Sequence, residues 1–170
     1  MPPRAPSDEE LDAAARRLGR ALVRRDWQMA TAESCTGGLV GHVITQVPRA
    51  SDHYLGGVVS YSDAVKQELL DVSPDLLERV GAVSSEVAEA MTTGTLARFP
   101  VAMLAVSVTG IAGPDGGSPE KPVGLVYVAA AVRDGAALVE RNTWPFDRDG
   151  NKRASALAAL ELAARLATEA

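Results

Sequence analysis

Trp27-Gln28-Met29-Ala30-Thr31-Ala32-Glu33-Ser34-Cys35-Thr36-Gly37-Gly38 is the stretch on which the fold turns. Trp27, Met29, Thr31 and Ala32 suit a short buried strand, and beyond the glycines Leu39, Val40, Val43, Ile44 and Val47 recur at helical spacing. A hydroxyl and a thiol therefore stand side by side where a strand turns into a helix. Glycines at 37 and 38 allow a close backbone approach that a Cβ would block, and the first N–H groups of the helix point toward whatever binds there. Such a loop suits a nucleophile or an anion site. Small polar residues also cap helices for purely structural reasons, so local spacing leaves both readings open.

Helices and strands alternate outward from this point. Ser7 caps a first helix that carries Asp8, Glu9 and Glu10 in its first turn and an apolar stripe of Leu11, Ala14, Ala15, Leu18 and Leu22. Pro48 breaks the helix that follows the Ser34 loop, and residues 56–61 read as a second strand. A short helix over 63–70 ends near Ser73-Pro74, and the next runs from Ser84 or Ser85 to about Arg98. Residues 101–109 form the clearest strand. After a Gly/Pro loop over 110–122, residues 123–132 and 136–144 form a hairpin through Asp134-Gly135, and Asp149 or Asn151 opens a last Ala/Leu-rich helix. The pattern predicts an α/β fold, a three-layer α/β/α sandwich around a mixed sheet. Ligands of such sheets bind outside the carboxyl ends of strands, where three polar clusters fall: 33–38, 60–66 and 109–117.

Composition limits the function classes. The 170 residues suit a single domain, expected over 8–170 with a disordered tail at 1–7, and 46% hydrophobic residues suffice for a core. A net charge of −5 without any basic run longer than a pair argues against a nucleic-acid partner, while a small anionic ligand stays open. The single cysteine excludes an intramolecular disulfide, and no signal-peptide or membrane-spanning segment is visible, so the expected compartment is the cytoplasm. Dispersed acidic residues and two isolated histidines, His42 and His53, give no metal signature; neither a metal nor a cofactor is expected. Self-association is left open.

Serine is a poor nucleophile until a base takes its proton, and neither histidine pairs recognisably with Ser34. Lys66 is the better base, near the end of a strand that can neighbour the Ser34 strand; a solvated helical lysine is the plain alternative. To act it must fall well below its ordinary pKa, which needs burial or a cationic neighbour. Tyr61 can relay the proton instead. Cys35 competes with Ser34 for the nucleophile's role but lacks a histidine partner. Thr109-Gly110-Ile111-Ala112-Gly113-Pro114 reads either as a nest of N–H groups for an anion or as a plain turn. Neither a Walker lysine pattern nor a dinucleotide fingerprint is present.

Four segments taken together resemble one family. Ala32 to Gly38, Gly56 to Ser62 with Lys66, Gly81-Ala82-Val83-Ser84, and Val108 to Pro114 with Pro119 to Gly124 are similar, in order and separation, to the CinA C-terminal domain family. The resemblance covers about residues 8–168. It implies an amidase that hydrolyses the carboxamide of nicotinamide mononucleotide to nicotinic acid mononucleotide and ammonia. In that reading Ser34 attacks the carbonyl, Lys66 takes and returns the proton, Tyr61 orients or relays, and N–H groups of Cys35, Thr36, Gly37 and Gly38 or of Thr109 and Gly110 hold the oxyanion and substrate.

The family's phosphate end is where this chain departs. An arginine of a Phe-x-Gly-Asp-Arg segment is expected there, but the chain reads Phe146-Asp147-Arg148-Asp149-Gly150-Asn151-Lys152-Arg153, so either Arg148 or Arg153 can fill the role. Two further readings stand beside the amidase: a non-catalytic module that binds a pyridine nucleotide or small anion, and a serine amidase with another substrate. Glu120 and Lys121 are expected to order the site or an oligomer contact.

Overall fold

A computed structural model describes residues 3–170. Of the expected tail, Met1 and Pro2 lie outside the described residues. Ser7 caps α1 (Asp8–Arg24): its hydroxyl accepts from the Glu10 N–H while the Glu10 carboxylate accepts from the Ser7 N–H, a reciprocal box.

The sheet runs β2-β1-β3-β4-β5. Its strands are β1 (Met29–Glu33), β2 (Tyr54–Val59), β3 (Leu104–Gly110), β4 (Leu125–Val132) and β5 (Ala137–Thr143). β2, β1 and β3 are parallel, while β4 and β5 add the antiparallel hairpin, so the sheet is mixed as the sequence implies. On one face, α1, α2 (Leu39–Gln46) and α6 (Arg148–Glu169) close over Met29, Val106, Val126 and Val128. On the other, α3 (Asp63–Leu70), α4 (Pro74–Val80) and α5 (Ser85–Arg98) bury Leu70, Leu77, Val87 and Met91 against Ala32. The three layers follow from these two apolar surfaces. No helix among the described residues is long and apolar enough to cross a membrane.

Beyond shifts of two or three residues at strand ends, which leave Ser60 and Tyr61 outside β2, two elements differ from the sequence reading. α4 is an extra helix, capped by the Ser73 hydroxyl on the Leu76 N–H with Pro74 in its first turn. α6 opens earlier than Asp149 or Asn151, because the Asp147 carboxylate accepts from the Gly150 N–H and so caps the helix at Arg148.

Connectivity fixes where a crevice can open. The chain leaves β1 into α2 on one face of the sheet and leaves β2 into α3 on the other. The two connections part at the carboxyl ends of adjacent strands, the place where open α/β sheets bind ligands. Ser34 follows the last residue of β1, and Ser60-Tyr61-Ser62 follows β2.

Candidate active site

Ser34 is held by its own backbone: its N–H donates to the Val108 carbonyl of β3 at 2.9 Å, prolonging the parallel ladder one residue past β1. Facing it, the Ser62 hydroxyl caps α3 at the Val65 N–H, and one turn later this helix turns Lys66 inward. Lys66 is only 1% exposed, the largest fully buried side chain of the molecule's described residues. Its Nζ lies 3.1 Å from Ser34 Oγ and donates to the carbonyls of Ser60 at 2.9 Å and Tyr61 at 3.4 Å. Carbonyls only accept. A neutral amine with its two N–H bonds directed at them presents its lone pair to the Ser34 hydroxyl, the arrangement a general base needs.

Burial drives Lys66 toward that neutral form. Desolvation lowers its pKa from the ordinary value, opposed by the Asp63 carboxylate at 3.8 Å. Asp63 is more than half exposed, so its field is screened. The Cys35 thiol points the other way: burial pushes it up to about 12, which keeps it protonated and unreactive.

Glu33, not singled out in the sequence, shapes the loop. Its buried carboxylate accepts from the N–H groups of Gly38 and Val40 at 3.0 Å each and Gly41 at 2.8 Å. A side chain of the chain itself therefore occupies the start of α2, where the sequence suggested a ligand. The Gly37 N–H is likewise engaged, by the Ser34 carbonyl at 3.0 Å. Gly37 and Gly38 are needed for their backbone, with φ of +62° and +103°. Among the described residues the N–H groups of Cys35 and Thr36 donate to no other protein group, and the buried Thr36 hydroxyl has no partner.

The remaining sequence candidates divide. The Thr109 hydroxyl is spent on the Ala82 carbonyl at 2.8 Å, and Gly110 pairs with Val126, where a Cβ would strike β4. Tyr61 contributes its carbonyl to Lys66, while its exposed phenol accepts from Arg148 Nη2 at 3.1 Å. Arg148 also donates to the Gly113 carbonyl at 2.7 Å, so it bridges the loops that follow β2 and β3. Arg153 sits elsewhere: it donates to the Pro6 carbonyl at 2.7 Å and pairs with Asp8. Lys152, passed over in the sequence, reaches the Ser34 loop instead, with Nζ 3.8 Å from where a Cβ of Gly37 would stand.

Comparison with known proteins places the geometry in context. Residues 11–167 match the profile of the CinA C-terminal domain. A "CinA-like protein" of Desulfotalea psychrophila is 51% identical over 124 residues, which is 73% of this chain but 30% of that protein. The chain thus spans about a third of such longer relatives. The "Nicotinamide-nucleotide amidohydrolase PncC" of Pseudomonas putida is 45% identical over 162 residues, 95% of this chain and 99% of that protein. The crystal structure of the competence/damage inducible protein CihA of Agrobacterium tumefaciens superposes with a TM-score of 0.86 at 38% identity, covering 93% of this chain and 94% of its own.

Proposed function

The chain belongs to the CinA C-terminal domain family, and from that premise we propose that it hydrolyses the carboxamide of nicotinamide mononucleotide, releasing ammonia and nicotinic acid mononucleotide. The observation that carries this reading is the buried Lys66 amine 3.1 Å from Ser34 Oγ. The near full-length relative named as an amidohydrolase supports the choice of substrate.

Ser34 Oγ attacks the carboxamide carbon as its proton passes to Lys66 Nζ. The carbonyl oxygen becomes an oxyanion, held by the unengaged N–H groups of Cys35 and Thr36; one such donor is typically worth about 3–4 kcal/mol of barrier. Collapse breaks the C–N bond while Lys66 returns the proton to the departing nitrogen, so ammonia leaves and an ester on Ser34 remains. Water then attacks that ester and gives its proton to Lys66, and the acid is released as Ser34 recovers its hydrogen. The phosphate lies toward Arg148 and Lys152, whose cations border the catalytic loop and Tyr61.

Ammonia release from nicotinamide mononucleotide by the parent, Ser34→Ala, Lys66→Ala and Cys35→Ala tests the assignment. Loss of about three orders of magnitude or more in kcat is expected for the first two variants, with Cys35→Ala close to the parent. Full turnover by Ser34→Ala would sink the nucleophile. A parent that binds the nucleotide without turning it over would make this a binding module, and release of ammonia from a different amide alone would move the substrate.

A further inference from the structure

A second cavity, about 260 Å3, opens between α1 and the segment joining α2 to β2. Val47, Pro48 and His53 on its wall precede Tyr54, the first residue of β2, whereas Ser60 and Lys66 follow that strand. The cavity therefore lies at the opposite end of the parallel strands from Ser34. Arg16 and Arg20, one turn apart on α1, line it together with Arg49. In a chain of net charge −5, three arginines line this cavity against one lining carboxylate, Asp52.

That carboxylate is already committed to Arg49 at 2.7 Å, and Arg16 pairs at 2.7 Å with Asp12, outside the cavity wall. Arg20 forms no ion pair among the described residues. His53 is 4% exposed, and its Nδ1 has no hydrogen-bond partner. The ring lies so close to α1 that a Cβ at Gly19 would stand 2.9 Å from its Cε1. Only a glycine at 19 leaves this room without a shift. An unpaired buried nitrogen is unfavourable, and buried polar groups are otherwise satisfied by protein, water or a ligand. Burial also keeps the imidazole largely neutral, so it carries one donor and one acceptor.

We propose that this cavity is a second anion site that takes a small phosphate monoester. The guanidinium forks of Arg20 and Arg16 meet the phosphoryl oxygens, the His53 ring supplies a further hydrogen bond, and Val23, Val47 and Pro48 pack against the carbon skeleton. The Arg20 guanidinium, free of any carboxylate among the described residues and flanked on the cavity wall by Arg16 and Arg49, suits the terminal oxygens and double charge of a phosphate better than a single carboxylate. The inference is independent of the amidase reading, because none of its residues belongs to the Ser34 site.

The chain has two histidines, and His42 is exposed on α2 beside Gln46, so the His53 ring signals in NMR report this cavity alone. The full-length chain is titrated separately with inorganic phosphate, ribose 5-phosphate and neutral ribose. Saturating shifts of His53, with His42 unmoved, are expected for both phosphates and not for ribose, with the sugar phosphate binding more tightly. Arg20→Gln, a change at an exposed position, should weaken binding by about tenfold or more, whereas Arg148→Gln should leave it unchanged. A His53 signal that ignores both phosphates overturns the proposal. So does undiminished affinity in Arg20→Gln, or loss of the shift in Arg148→Gln, which would assign the binding to the catalytic cleft.

Discussion

Replacing Asp63 by asparagine should move the acid limb of the amidase pH profile toward lower pH. Lys66 can act as a base only when neutral, so activity rises as pH climbs through its pKa. Burial lowers that pKa, and the Asp63 carboxylate 3.8 Å away works against burial by favouring the ammonium. Asparagine removes the opposing charge and leaves the burial in place, so the amine is neutral over a wider range. Because Asp63 is more than half exposed, water-like screening is the right limit. Two unit charges at that distance then interact by about 1 kcal/mol, which at about 1.36 kcal/mol per pH unit displaces the limb by about 0.8 of a unit. Loss of a first-turn carboxylate costs α3 about 0.3–1 kcal/mol, a small part of a domain's stability. The assay is kcat/KM for ammonia release against pH, at low and high salt. Salt should shift the parent's limb in the same direction by screening Asp63, and the variant's limb much less. A limb that stays fixed, or moves to higher pH, in a folded Asp63→Asn chain would refute Lys66 as the titrating base.

Four other substitutions probe the site and the frame around it. Arg148→Gln should raise KM for the mononucleotide about tenfold or more and affect the corresponding nucleoside far less, while Arg153→Gln should leave KM alone and lower stability by about 0.5–1.5 kcal/mol through its lost bond to Pro6; steady-state kinetics and thermal melts with the two variants exchange these outcomes if the assignment is inverted. Glu33→Gln breaks up the three N–H bonds that start α2, and a loss of about 1.5–3 kcal/mol in urea unfolding is expected; an unchanged midpoint would remove Glu33 as the organiser of the loop. Gly94→Ala drives a Cβ into the Leu70 carbonyl where α5 crosses α3, at a cost of about 1–3 kcal/mol by the same measurement, and a neutral result would show that the two helices can part freely.

The layered fold was legible because its signals are local. Helical spacings, Ser7 as a cap, and the turn at Asp134-Gly135 each speak for a few neighbouring residues, and the layers follow from them. α4 escaped because seven residues with one buried side chain, Leu77, give little periodicity, and Ser73-Pro74 reads equally as the end of one helix or the cap and first residue of the next. The Ser34–Lys66 contact is long-range. Sequence could bring both residues to strand ends, but only the divergence of α2 and α3 from adjacent strands brings Nζ to Oγ. The work of Glu33 was hidden for a related reason: its carboxylate reaches forward over a loop whose path depends on two glycines at positive φ.

The phosphate end shows how a local rule could have decided what motif matching left open. Once Asp147 is recognised as the cap, Arg148 is the first residue of α6 and the positions after it rotate by about 100° each. Lys152, four residues on, returns to within about 40° of Arg148, whereas Arg153, five residues on, is turned about 140° away. One straight helix cannot aim Arg148 and Arg153 at the same ligand. The observed contacts follow this rotation: Arg148 faces Tyr61 and Gly113, Lys152 faces Gly37, and Arg153 turns to Pro6 and Asp8. Arg148 and Lys152 are therefore the two cations of this turn that can face one ligand. A Lys152→Gln, Arg148→Gln double-mutant cycle on KM should show coupling beyond additivity if both cations grip one phosphate, and strict additivity would separate them.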